Sequence, residues 1–449
     1  MTRARIYYAR VDEFWRKEQK YAFLDEKQHR GNIEWQEIQP DAKHNWLTEG
    51  MEDEFQSFIP IGSKETKGSV KSETIFLTFG GGVKTNRDTW AYNFNATDLE
   101  KNIKRMIDAY NDQVSRWSRS KKKPANIDEF VAYDTTKITW SRDLKVDLQR
   151  GRIAQFSSDK IRNALYRPFS KSHLFFDRLL NEEVYIMPSI LPLSDNELEN
   201  RLIWLKVGGE VPGFSLMANV IPDLLPQGGS QCFPFYTYNE DGTNRRENIT
   251  DWGLEQFRGN YNDNSITKWD IFHYVYAMLH HPLYSERYAA NLKRELPRVP
   301  FAPDFRAFAD IGKRLAEIHV NYEQQPEYPL ERIEKPGEPL DWRVERMKLS
   351  KDKGSLIYND FLTLSGIPPE VFEYRLGNRS ALDWIIDQYQ VSTDKRSGIT
   401  NDPNRQDDPQ YIVRLIGQVI TVSLETVELM RSLFVTALTS NGDLEGSDQ

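Results

Sequence analysis

The residues of this chain best suited to chemistry are cations set beside glycines and aromatic rings. Gly80-Gly81-Gly82-Val83-Lys84-Thr85-Asn86-Arg87-Asp88 follows Thr74 to Phe79, an apolar run that reads as a strand. Glycine lets a backbone approach a polyanion closely. Lys84 and Arg87 would then reach a phosphate or a base; the other reading is a plain turn. A nucleotide P-loop is excluded, because that motif needs glycine directly before Lys-Ser/Thr so that amides curl round phosphates, and Val83 stands there. Asp159 to Arg178 sets Lys160, Arg162, Arg167, Lys171 and Arg178 among Tyr166, Phe169, Phe175 and Phe176. Such interleaving suits a nucleic-acid surface. It suits equally a strand pair with an aromatic core and solvated arginines. Arg245 and Arg246 add two cations in a loop after a strand.

Other chemistry has no support in the sequence. No Ser/His/Asp or Cys/His arrangement stands out, and there is neither a Walker A motif nor an Asn-Pro-Pro-Tyr-type loop for attack on the amino group of a flipped base. The seven histidines are scattered, with no His-x-x-x-His pair to hold a metal. Cys232 is the only cysteine, which excludes an internal disulfide and a zinc site of several cysteines. It fits a reducing cytoplasm.

The elements that must position these cations are those of a folded chain. Its 449 residues, 39% hydrophobic and 12% aromatic, are enough for two or three domains with a sizeable core. No apolar run approaches the ~18 residues of a membrane helix, and the N-terminus lacks a signal-peptide core. A soluble, cytoplasmic protein is expected. The net charge of -8 argues against a wholly cationic nucleic-acid binder. Charge is local, however: Lys101 to Lys123 holds eight Lys or Arg against two Asp. An acidic average with basic stripes suits a protein that touches DNA on one face.

Lys268 to Pro303 organises the chain. Ile271, Tyr274, Val275, Met278 and Leu279 share one face of a helix, His281-Pro282 breaks it, and Tyr284, Tyr288, Ala289 and Leu292 continue a second helix. Its polar side, Arg287, Lys293, Arg294 and Arg298, allows phosphate contacts. Helices are also expected at 98–117, 304–322, 381–389 and 411–434. Strands are expected at 5–11, 183–187, 201–207, 213–218 and 231–238. Short strands between basic loops, followed by helices, make an α+β fold: a mixed short-strand sheet with helical hairpins. Residues 439–449 read as disordered.

Several segments together resemble a known family. These are GVKTNRDTWAYNFN (Gly82 to Asn95), ALYRPFSKSHLFFD (Ala164 to Asp177), the strand Gln231 to Tyr236, DIFHYVYAMLHHPLYSERYAANLKRELPRVPF (Asp270 to Phe301) and YIVRLIGQVITVSLETVELM (Tyr411 to Met430). The chain resembles the C-terminal part of type ISP restriction-modification enzymes, the ATP-dependent LlaBIII-like group. The resemblance implies that residues 1–75 are a C-terminal remnant of an α/β adenine methyltransferase domain. It implies that 76–435 form the target recognition domain, with 436–449 a tail. It implies double-stranded DNA as partner, and S-adenosylmethionine and ATP/Mg as cofactors of upstream domains, with none on this chain. Lys84, Arg87, Arg167, Lys171, Arg178, Arg245 and Arg246 are then the candidate DNA contacts, chosen for charge in loops beside strands. Two alternatives stay open: half of a split adenine-N6 methyltransferase that needs a partner chain, and a remnant that packs but no longer binds.

Overall fold

The computed structural model describes residues 5–435 apart from 12–14, 16, 41–45, 47–50, 70, 195–198 and 210; the expected tail at 436–449 lies outside them. At the N-terminus β1 (Ile6–Tyr8) pairs antiparallel with β2 (Gln36–Ile38) across α1 (Lys17–Lys27). No residue of α1 is buried, and neither strand has a buried residue. The main core starts soon afterwards. Phe55, Ile59 and Ile61 belong to it, and β3 (Ile59–Pro60) pairs with a strand far along the chain. Phe55 and Phe58 wedge against Tyr288, so the chain packs into the main core from Phe55 onward.

Thr74 to Phe79 was expected to be a strand, yet it forms only one isolated bridge, Phe76 to Ile249. Its amides are taken in turn by Pro60 O, Ile61 O and Asn248 O, so no single neighbour runs beside it as a ladder. Glu183 to Met187 is likewise no strand. Tyr185 there has φ 47, outside the extended region.

The first sheet has the order β4 (Tyr92–Asn93), β6 (Ser170–Phe175), β5 (Ile161–Arg167), β9 (Ile221–Pro222). β5 and β6 form a hairpin with an irregular register between Leu165 and Arg167. Phe169, at its turn, has φ 56 and is fully buried against Tyr322. Beside it lies a second core, built on α2 (Ala96–Arg119) and α3 (Arg142–Gln149). α2 is capped by Asn95, whose side chain accepts from the Thr97 and Asp98 amides. Leu99, Ile103, Met106, Tyr110, Val114 and Trp117 make its buried stripe.

The second sheet runs β10 (Ser230–Pro234), β7 (Leu202–Lys206), β8 (Phe214–Ala218). Every residue of β7 and β8 is buried, as in a sheet covered on both faces. A small ladder pairs β11 (Tyr236–Thr237) with β12 (Arg246–Glu247). Next come α4 (Asp251–Tyr261), α5 (Lys268–His280), α6 (Pro282–Arg287), β13 (Arg298–Val299), which is the partner of β3, and α7 (Phe305–Val320). A third sheet, β14 (Glu331–Glu334), β17 (Leu362–Ser365), β16 (Ser355–Ile357), β15 (Lys348–Leu349), precedes α8 (Ala381–Gln388) and α9 (Tyr411–Val435). The result is an α+β fold with several small sheets rather than one mixed sheet.

α5 begins at a reciprocal Thr267–Asp270 cap and ends where His281 becomes the cap of α6. It was expected to bury one face. In fact Phe272, Tyr276, Ala277 and His280 are buried as well, since sheet, α7 and loops cover it from several sides. The basic side of the hairpin stays at the surface: Arg287, Lys293 and Arg294 are exposed and Arg298 is half-buried. Arg287 pairs with Glu54 at 2.7 Å, and Arg298 donates to Phe58 O at 3.2 Å. Between α5, α7 and α9 lies a buried polar chain. The Met217 amide donates to Tyr276 Oη at 2.7 Å, so the Tyr276 hydroxyl donates to His319 Nδ1 at 2.6 Å. His319 Nε2 then donates to Thr426 Oγ1 at 2.9 Å, and Thr426 to Val422 O at 2.7 Å. Burial holds His319 well below the usual histidine range, and His273 and His280 down at about 4.

Two predictions follow from this packing. A Cβ on Gly312 would sit 1.9 Å from His273 O, so Gly312→Ala must push α5 and α7 apart. The expected loss is about 1–3 kcal/mol or more in urea denaturation. Gly259→Ala meets nothing within 4 Å and should be neutral or stabilising by up to about 1 kcal/mol; equal losses at both sites would refute the close crossing. Acid should also destabilise the fold. As pH falls from the ordinary histidine value of 6.5 towards 4, the unfolded chain takes up protons that His273, His280 and His319 do not. Stability is then present above 6.5 and lost on descent through that window. A flat stability profile over this range would contradict the buried neutral histidines.

Candidate nucleic-acid interface

The glycine loop makes its close approach to its own protein. A Cβ on Gly82 would lie 2.5 Å from Asp223 O, which is why glycine is needed there. Gly80 N donates to Cys232 O, Val83 N to Pro222 O, and Lys84 N to Glu183 O. With these amides spent inside the fold, the loop is no open cradle for a phosphate.

The chain then turns at Asn86, which is exposed with φ 55, a conformation asparagine tolerates better than most residues. Arg87 points inward. Its guanidinium, 0% exposed, donates to Leu180 O, Ser141 Oγ and Thr139 O and lies 3.6 Å from Glu182. Burial lowers its pKa to about 10, opposed by Glu182, Asp143 and Asp88. The expectation that Arg87 reaches DNA is therefore corrected: its donors face carbonyls and a hydroxyl of the fold.

Arg167 is held on three sides. It lies 3.8 Å from the Tyr166 ring, and Nη1 donates to Tyr166 O at 2.6 Å and to Asp223 Oδ1 at 3.1 Å. Asp223 also accepts from Tyr92 Oη and the Leu225 amide. Burial pushes the Asp223 carboxyl up to about 7, against the pull of Arg167. Asp88 accepts from Thr85 Oγ1 and, at 3.1 Å, from Tyr166 Oη. Asp88 and Asp223, so held, face a cleft of about 360 Å³ lined by the 84–90 loop, Thr135, Thr139, Asp223, Leu225 and the turn at Asp394, Arg396 and Ser397. The 394–397 turn is tied to Thr135, whose Oγ1 donates to Arg396 O at 3.1 Å.

The other expected cations lie elsewhere. Lys171 pairs with Glu323 and approaches the Tyr322 ring to 4.8 Å. Arg178 pairs with Glu240 at 2.5 Å, both more than half exposed. Arg245 pairs with Glu199 at 2.7 Å over the Tyr236 ring, and Arg246 donates to Asn239 Oδ1 at 3.0 Å. Exposed pairs of this kind are weak and can yield to another anion. The structure thus brings Lys84, Arg87 and Arg167 to one region and leaves Lys171, Arg178, Arg245 and Arg246 outside it. Asn86, Arg396 and the supporting Asp88 and Asp223 were not foreseen. Only Asn86 carried a signal, as an asparagine in a turn.

The sequence profile of the type ISP C-terminal specificity domain matches residues 74–415. The chain belongs to this family. The specificity domain is similar to a nuclease-deletion mutant of the type ISP restriction-modification enzyme LlaGI in complex with a DNA substrate mimic. That match has 34% identity and a TM-score of 0.80, covering 93% of this chain and 32% of the other. A DrdV–DNA complex matches with 34% identity and a TM-score of 0.83, covering 95% and 43%. The ATP-dependent type ISP enzyme LlaBIII bound to DNA matches with 32% identity and a TM-score of 0.77, covering 89% and 26%. The chain therefore spans less than half the length of these relatives. No curated protein matches it.

The two kinds of arginine can be told apart by stability. Arg87→Ala should lower stability by about 3–5 kcal/mol, because Glu182 is left buried without its partner. Arg178→Ala should change it by less than about 1 kcal/mol. Thermal melts of both variants check this; similar melting points would contradict the internal role of Arg87.

Proposed function

We propose that this chain is a DNA sequence-specificity module, gripping duplex DNA for adenine-N6 methylation and restriction carried out by other domains of a type ISP enzyme. The observation that carries this reading is the cleft, whose rim cations Lys84 and Arg396 have no ion pair among the described residues. It sits on a specificity domain whose solved relatives are complexed with DNA or a DNA mimic. Phosphate contacts position such a module and a few side chains read base edges. Residues 1–75 are read as the end of an adenine methyltransferase domain, which needs S-adenosylmethionine, while ATP and Mg serve the motor and nuclease parts. Tyr7, Tyr21, Leu24 and Trp35 are 46–58% exposed, as expected of a surface made for further chain. The same exposure favours a second reading, half of a split methyltransferase completed by a partner. Among the described residues no helix is long and apolar enough to cross a membrane, in keeping with a cytoplasmic place beside DNA.

Binding to a randomised duplex pool should fall steeply as salt rises, by counterion release. Fluorescence anisotropy at several salt concentrations measures the slope. A chain that melts cooperatively yet binds no duplex in a salt-dependent way would refute the proposal.

A further inference from the structure

We infer that the cleft between the 84–90 loop and the 394–397 turn reads the edge of a base pair, with the Asn86 carboxamide as the discriminating group and Lys84 and Arg396 as flanking phosphate anchors. The inference rests on the DNA-binding reading above and names the residues that would carry its selectivity.

The first support is what the cleft leaves available. Its carboxylates are already used. Asp88 accepts from Thr85 and Tyr166, and Asp223 from Arg167, Tyr92 and the Leu225 amide. Asp394 accepts from the Arg396 and Ser397 amides and the Ser397 hydroxyl. The side chains of Lys84, Asn86 and Arg396 have no hydrogen bond or ion pair among the described residues, and Asn86 and Arg396 are exposed. The rim therefore offers two cations, Lys84 in the field of Asp143 and Arg396 in that of Asp394, and one group that both donates and accepts.

The second support is rigidity. Asn86 sits between two fixed neighbours. The Thr85 hydroxyl is held by Asp88 and accepts from the Arg87 amide at 3.1 Å, while the Arg87 side chain is buried in four contacts. Across the cleft, the Thr135–Arg396 bond fixes the opposite wall. The backbone of such a loop gives up little freedom on binding, so the Asn86 carboxamide starts from a fixed point, which favours discrimination between bases.

The third support is chemical fit. A carboxamide pairs with both N6 and N7 of adenine in the major groove, whereas a carboxylate accepts from N4 of cytosine. A cleft of about 360 Å³ is too small to admit a duplex, so DNA would lie across its rim, where Asn86 and Arg396 are exposed.

The test is selection from a randomised duplex pool with the full chain, alongside Asn86→Gly, Asn86→Asp, Lys84→Ala and Arg396→Ala. Asn86→Gly keeps the left-handed backbone and removes the amide. It should weaken the preferred sequence on the order of tenfold to a hundredfold, abolish preference at one position and leave the salt slope unchanged. Asn86→Asp, whose backbone demands are alike, should move that position from adenine towards cytosine. Lys84→Ala and Arg396→Ala should weaken all sequences about equally and lower the salt slope by about 1 each. If the wild type selects a sequence and both Asn86 variants keep it, the inference is overturned while the DNA-binding reading stands. A uniform weakening by Asn86→Gly with a reduced slope makes Asn86 a phosphate contact and overturns it too. A wild-type chain that binds without sequence preference overturns it as well. One that binds no duplex overturns both. A melt on the same samples separates unfolding from lost binding; should Asn86→Gly melt early, Asn86→Asp decides.

Discussion

The close crossing of α5 over α7 at Gly312 is the constraint on which the rest of the structure depends. Without a side chain at Gly312, α7 comes against the His273 carbonyl, and the buried faces of both helices meet. Polar groups are drawn in with them. The Tyr276–His319–Thr426 chain satisfies those groups and joins α9 to the pair. Along this chain each donor finds an acceptor, and an unmatched buried group would be costly there.

From this crossing the path to the cleft is short. Phe169, at the tip of the β5–β6 hairpin, packs edge-on against Tyr322, His319 and Tyr374. That seats the hairpin, and the hairpin carries Tyr166 and Arg167. Their side chains hold Asp88 and Asp223, and so hold the 84–90 loop and the 222–225 segment in place. Lys171 adds a second tie, to Glu323, which also accepts from Tyr411 at the start of α9. A buried helix crossing thus becomes a rigid rim, and a rim of fixed geometry is what selective recognition asks of a scaffold.

Charge follows the same logic. A chain with a net charge of -8 is a poor match for a polyanion on average. Here many carboxylates are engaged by their own cations, as in Arg87–Glu182, Arg167–Asp223 and Lys171–Glu323. What matters to a ligand is which charges stay uncompensated at the surface. That quantity does not follow from composition.

Much was legible in the sequence alone. Apolar spacing at 98–117 and 271–279, and the His281-Pro282 break, depend on neighbours within a few residues, so local chemistry determines them. The segments that resemble type ISP enzymes carried the family for the same reason, as contiguous words. Whether an arginine points inwards or outwards is another matter. Arg87 sits in the loop that looked most like a ligand loop, yet its donors meet Thr139, Ser141 and Leu180. Thr74 to Phe79 has a strand's composition but forms no ladder, because its amides bond in turn to Pro60, Ile61 and Asn248 and no single segment runs beside it. Arg396 joins Asn86 in one cleft although nothing in either neighbourhood refers to the other. The sequence by itself determined local conformation and family. Only the tertiary structure decided which cations are exposed and which meet, because burial and Coulomb partners are set by contacts between remote segments.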